Sequence, residues 1–277
     1  NWWFFASSDW HNRGSFGPDD RRSSQDFYPG EYQRTHVMVR NGSDKLRPQT
    51  IVDGLRTGNA WSATGQLIDR LAFVACASYA GPAARSNASV EALAVAAATQ
   101  ATDISAAGCA TMGEKLVVRP GAEIVVAVVL RDPDGVNFSP YSFPNPSLAQ
   151  VGINQPINKP VLDHVDVIRG MVTGYKTPGA ADYSGEWPRN TNWLKTDGTT
   201  TGLASVPAAA KNLSAAIVKT FSGNGATPWT AVQSGADNTT FLKMSFRIPA
   251  VQASQYVRLR GSNLPAGARN LATWYEK

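Results

Sequence analysis

From residue 110 onward the chain is a succession of short apolar segments separated by turn formers, and that rhythm admits few architectures. Residues 114–118 and 123–132 read as strands flanking Arg119-Pro120-Gly121, where proline and glycine favour a tight reversal. Asp132-Pro133-Asp134-Gly135 marks a second reversal. Further strands are expected at 161–172, 215–221, 240–248 and 255–260. Residues 139–160 carry five prolines and read as a rigid extended excursion, whereas 176–212 read as a Gly/Asn/Thr/Trp-rich loop. Short strands at this density predict a mainly β fold with a β-sandwich-like domain. No repeat of fixed period is present.

The first hundred residues read differently. Trp2-Trp3-Phe4-Phe5-Ala6 predicts a buried strand, and residues 7–35 a long ordered loop of the kind that usually carries function. His36-Val37-Met38-Val39-Arg40 reads as a short strand. Pro48 opens an expected helix over 49–57 that Gly58 closes, with Ile51, Val52 and Leu55 as its apolar face. Residues 60–75 read as two strands broken near Gly65. Residues 89–105 are alanine-rich, with apolar positions at helical spacing from Val90 to Ile104 and Ser89 as the expected N-cap. This helix lies between the two cysteines, so 77–108 reads as a short helical insertion.

Composition narrows the class. Hydrophobic residues make up 43% of the chain, enough for a real core, and charged residues only 17%, a profile of loop-rich, exported proteins. The net charge is +5, but the densest basic cluster is only Arg21-Arg22, and no nucleic-acid motif is present, so no nucleic-acid partner is expected. No apolar run approaches the ~20 residues of a transmembrane segment. Cys76 and Cys109 either form a disulfide, which implies an oxidising compartment, or are two buried thiols. No Cys-x-x-Cys spacing supports structural zinc. Together these features place the protein outside the cytoplasm, periplasmic or secreted in a bacterial-type cell, and the start at Asn1 reads as a processed or partial product.

The best candidate for chemistry is Ser7-Ser8-Asp9-Trp10-His11, directly after the apolar aromatic run. On an extended strand Asp9 and His11 face the same side, and both are ligands for Zn, Mn or Fe. A hydrolytic metal site needs three or more protein ligands, and the histidines are only His11, His36 and His164. Asp19, Asp20, Glu31 and His36 are near in sequence, although each taken singly reads as a solvated loop charge. A second constellation, Asp163-His164-Val165-Asp166, puts His164 and Asp166 on one strand face, where a hydrogen-bonded structural pair is the plainer reading. Arg247, Arg258 and Arg260 read as part of a terminal hairpin, on which Arg258 and Arg260 share a face that either binds an anion or, the plainer reading, is an exposed strand face. The aromatic residues Tyr141, Phe143, Tyr175, Tyr183, Trp187, Trp193 and Trp229 read mainly as packing between loops. There is no Gly-x-Ser-x-Gly, P-loop or GxGxxG.

The stretch Phe5-Ala6-Ser7-Ser8-Asp9-Trp10-His11 resembles the last metal-binding motif of the polymerase-and-histidinol-phosphatase (PHP) metallohydrolases, in which an apolar strand ends in Gly-Ser-Asp-x-His. Residues 48–68, with Leu55-Arg56-Thr57-Gly58 and Thr64-Gly65-Gln66-Leu67-Ile68, are similar to the segment that follows in the exported, carbaryl-hydrolase-like branch. Ser7 stands where that family has glycine, and its His-x-His opening is absent. The resemblance implies that residues 1–70 are the last strand and helix of a PHP-like β/α barrel and that 71–277 are a β-sandwich-like domain. It implies a divalent metal (Zn, Mn or Fe) on Asp9 and His11, and hydrolysis of phosphoester or related ester bonds once an upstream segment or second chain completes the barrel. The alternative is a non-catalytic β-rich subunit, scaffold or binding protein in a homo- or hetero-oligomeric extracytoplasmic assembly.

Overall fold

The computed structural model describes residues 3–7, 33–39, 48–137, 152, 154, 159–172, 212–234 and 238–265. These are mainly β, with strands β1 (Gln33–Val37), β2 (Ala60–Thr64), β3 (Arg70–Ser78), β4 (Cys109–Ala110), β5 (Ala122–Arg131), β6 (His164–Met171), β7 (Ala216–Ser222), β8 (Thr230–Gln233), β9 (Thr240–Val251) and β10 (Gln255–Ser262). Helices α1 (Pro48–Thr57) and α2 (Asn87–Gln100), with a 3-10 turn at Gly81–Ala83, complete the described elements. The chain divides into two compact units, Asn1–Leu162 with Pro228–Val251, and Asp163–Thr227 with Gln252–Lys277. No described helix is long and apolar enough to cross a membrane.

The first unit is built on a five-stranded antiparallel sheet of order β4-β3-β5-β9-β8. Alternation along the strands sorts its side chains into two sets. Ala72, Val74 and Cys76 of β3 and Val125, Ala127 and Val129 of β5 pack against Val90, Ala94, Ala97 and Ala98 of α2. The small alanines let the helix backbone come close to the sheet. On the opposite face Phe73, Val126, Val128, Leu130, Met244 and Phe246 are also buried. Burial on both faces explains why β5 reads as a continuous apolar run and not as an alternating one.

Cys76 and Cys109 face each other in the β3–β4 register and form a disulfide. The segment it closes carries α2, so the helix expected as an insertion supplies a layer of this unit's core. Its N-cap is Ser86, three residues before the expected Ser89: the Ser86 hydroxyl accepts from the Ser89 amide at 3.1 Å. The helix ends at Gln100, where Ala101 turns left-handed with φ 51°, short of the expected end at 105.

Three strand expectations are corrected. Residues 3–7 pair with no strand, and Phe4 and Phe5 are 78% and 50% exposed, so this part of the aromatic run is not a buried strand. Residues 114–118 form no strand, because Glu114 folds back locally: its carboxylate accepts from the Thr111 amide at 2.9 Å, and its own amide donates to the Thr111 carbonyl at 3.2 Å. Next to it Gly113 lies so close to the Thr57 carbonyl that a Cβ would sit 1.9 Å away. The expected terminal hairpin is absent as well, since β9 pairs with β5 and β8 whereas β10 pairs with β6.

A two-stranded antiparallel pair, β1–β2, accompanies α1 in the same unit. The helix spans its expected residues, but the expected apolar face is not its packing face. Ile51 and Val52 are exposed, and Gly54 is the buried residue, because a Cβ there would meet the Met38 carbonyl at 2.6 Å. The second unit holds a three-stranded antiparallel sheet of order β10-β6-β7, whose buried residues include Val165, Val167 and Phe221.

Candidate functional site

Asp9 and His11 lie outside the described residues, as do Asp19, Asp20 and Glu31, and of the aromatic loop residues only Trp229 is described. The stretch leading to the Asp9/His11 motif is described as far as Ser7. Side chains, not a strand ladder, hold it. The Thr35 hydroxyl accepts from the Ala6 amide and donates to the Ala6 carbonyl, both at 2.8 Å. The Ser62 hydroxyl donates to the Phe4 carbonyl at 3.3 Å, and the Trp3 indole donates to the Arg56 carbonyl at 3.2 Å. The Trp3 ring covers Gly58, where φ is +76° and a Cβ would lie 2.4 Å from the indole. Glycine is therefore required at 58 both for the helix-ending turn and for the ring.

His36 is on β1, and its ring stacks on the cross-strand neighbour Trp61 at 3.8 Å and 6°. Burial, with Arg34 nearby, lowers its pKa, so the imidazole is neutral at pH 7 and keeps a nitrogen lone pair. It lines a cleft of about 170 Å³ together with Arg34, Gln66, Asp69 and Lys159. Arg131 grips Asp69 in a two-pronged pair, at 2.7 Å from Nε and 2.5 Å from Nη2. Gln66 is buried with φ at 58°, an uncommon conformation for a non-glycine residue that the tight β2–β3 connection imposes. Beside this cleft Asp132 accepts from the Leu162 amide at 2.9 Å, and burial raises its pKa. Sequence reasoning named His36 but missed Arg34, Asp69 and Lys159. They come from separate parts of the chain, so no local motif marks them.

The second constellation is resolved in detail. His164 and Asp166 are 6% and 3% exposed on β6. His164 Nδ1 lies 2.8 Å from Asp163 Oδ1, and its Nε2 lies 3.7 Å from Asp166 Oδ2. Asp166 accepts from the Thr220 hydroxyl at 2.6 Å and from Arg260 Nη2 at 2.7 Å. Burial pushes the Asp166 carboxyl upward, but these two hydrogen bonds and the charges of His164 and Arg260 outweigh it, leaving the pKa below the ordinary aspartate value. Both carboxylate oxygens have partners, so the cluster is a closed structural network tying β6, β7 and β10. Arg260 is occupied there, and Arg247 belongs to a different sheet, where it pairs with Glu123. Arg258 and Arg260, two apart on β10, are both exposed, and Arg260 reaches Asp166 from that face.

Among the described residues, no group of three or more His, Cys, Asp and Glu side chains could hold a metal ion. Asp9 and His11 have donor types suited to Zn, Mn or Fe, but two donors are fewer than a hydrolytic centre requires. No protein-family model, curated protein or solved structure matches this chain.

Proposed function

We propose that this chain is part of an exported PHP-type metallohydrolase acting on phosphoester or related ester bonds. In this reading Asp9 and His11 supply two metal ligands, and the remaining ligands come from a segment or chain outside these residues. The observation that supports it is the joining of the two stretches that carry the resemblance. Trp3 to Ala6 is latched onto Thr35, Arg56, Gly58 and Ser62, so the base of the Ser-Ser-Asp-x-His motif and the helix–strand segment after it are packed as one piece. A bound divalent ion would supply a water acidified toward neutral pH. Asp9 and His11 would hold that ion. The β-rich part that follows would correspond to the β-sandwich-like domain of the exported branch, and the Cys76–Cys109 disulfide fits an extracytoplasmic setting.

The competing reading, a non-catalytic subunit or scaffold, is favoured by one observation: Phe4 and Phe5 are large apolar side chains left exposed. Elemental mass spectrometry of the native protein decides between them. One or more equivalents of Zn, Mn or Fe, lost in His11→Ala while the far-ultraviolet circular dichroism stays unchanged, is the expected result. Absence of transition metal in the native protein, or metal content unaffected by His11→Ala, sinks the hydrolase reading.

A further inference from the structure

A second cleft, of about 510 Å³, opens at one end of the five-stranded sheet between the β3 end, the loop into α2 and the Arg119-Pro120-Gly121 turn. Its volume falls within the ~300–1,000 Å³ typical of small-molecule sites. Three guanidinium groups line it, those of Arg85, Arg119 and Arg247, against one carboxylate, Glu123. Arg247 is spent on the scaffold: it pairs with Glu123 and also donates to Asn87 Oδ1 and to the Arg85 carbonyl, each at 2.7 Å. Arg85 and Arg119 have no carboxylate partner among the described residues. Arg119 lies with its guanidinium carbon 6.0 Å from the centre of the Tyr79 ring. Arg85 donates from Nη2 to the Ala107 carbonyl at 2.6 Å, and its amide donates to the Ser78 hydroxyl at 2.9 Å.

We propose that this cleft binds an organic phosphomonoester, the phosphate lying between Arg85 and Arg119 and the organic body resting against Tyr79 and Pro120. Two unneutralised guanidiniums match a dianion in charge, and their forked donors match phosphate oxygens in geometry. The cavity exceeds what a lone oxyanion would fill, so the ligand carries an apolar or ring-bearing portion that the Tyr79 ring can meet. Arg85 is held in place. Ser78 and Ala107, which hold Arg85, each lie two residues from a cysteine of the Cys76–Cys109 bond. The proposal does not depend on Asp9 or His11.

Calorimetric titration of the full chain with phenyl phosphate tests it, with benzoate and inorganic phosphate as comparison ligands. Saturable binding of phenyl phosphate is expected, tighter than that of inorganic phosphate, which lacks the ring, or of benzoate, which carries one charge. Arg119 is exposed, so Arg119→Ala leaves the fold intact and should weaken binding by about tenfold or more, as expected for loss of a charge-assisted pair. No saturable binding at millimolar concentrations overturns the proposal. So does an affinity unchanged by Arg119→Ala.

Discussion

The five-stranded sheet of the first unit and the three-stranded sheet of the second bury their central strands in different ways. Around β5 the buried set is aliphatic and aromatic, and α2 closes one face with alanine and valine. Along β6 two of the buried side chains are ionisable, His164 and Asp166, and partners on neighbouring strands complete them. In the first case stability comes from area removed from water, which is non-directional and indifferent to pH. In the second a face that is partly polar is held by hydrogen bonds whose loss is costly because Asp166 is buried. A larger sheet with a helix over it can use the first solution. A three-stranded sheet has less apolar surface to bury, and the ionic network fixes the alignment of β10, β6 and β7 through side chains from all three strands.

Substitutions on each side can break this contrast. Phe241→Ala empties the space between α2 and β9 and should destabilise by about 3–5 kcal/mol in urea unfolding, by the same amount at pH 5 and pH 8. A strong pH dependence of that loss would contradict an apolar first-unit core. Asp166→Asn keeps the volume but removes the charge facing Arg260 and His164, and should cost about 1–3 kcal/mol at pH 7. Its signature is in acid. Because the folded-state pKa of Asp166 is depressed, its contribution is present above the unfolded aspartate value of about 4 and is lost as pH falls through the folded value. The variant should therefore show a flatter acid limb than the parent, and equal slopes would remove the network from the account.

The smallest effect concerns His36, which sharpens the comparison because it lies in the first unit yet titrates. Its folded pKa is lowered, so the unfolded chain takes up the proton first as pH falls. Stability should decline below about pH 6.5, the unfolded histidine value, until the folded pKa is passed. His36→Gln should abolish that decline, a change of less than about 1 kcal/mol for a partly exposed, solvent-screened group. An unaltered profile between pH 5 and 7 would show that His36 is not held neutral by its surroundings.

Elements with a strong local signature were legible in the chain. Helix α1 runs from Pro48 to the residue before Gly58, as its punctuation predicts, and the mainly β class follows from strand spacing. Strands β5, β6, β7, β9 and β10 fall within a few residues of expectation. The failures share a cause. Trp3 to Ala6 has strand composition, but a strand exists only where a partner offers a ladder, and here the Thr35 and Ser62 hydroxyls take that role. Ile51 and Val52 looked like a packing face, but the close approach to Met38 admits only a hydrogen at that surface and selects Gly54.

The candidate sites divide in the same way. Asp9 and His11 are visible because ligands two apart on one segment form a local pattern, whereas Arg34, His36, Asp69 and Lys159, or Arg85 and Arg119, come together only when distant segments fold onto one another. Composition and periodicity are properties of neighbours along the chain, so they determined the β class, the limits of α1 and the cysteine-bounded segment. The cysteine pairing, the layer that α2 provides, the split of β9 and β10 between sheets and the grouping of charges into clefts depend on contacts between residues tens of positions apart. Those contacts are set by which surfaces bury the most apolar area together, and only the tertiary structure decides that.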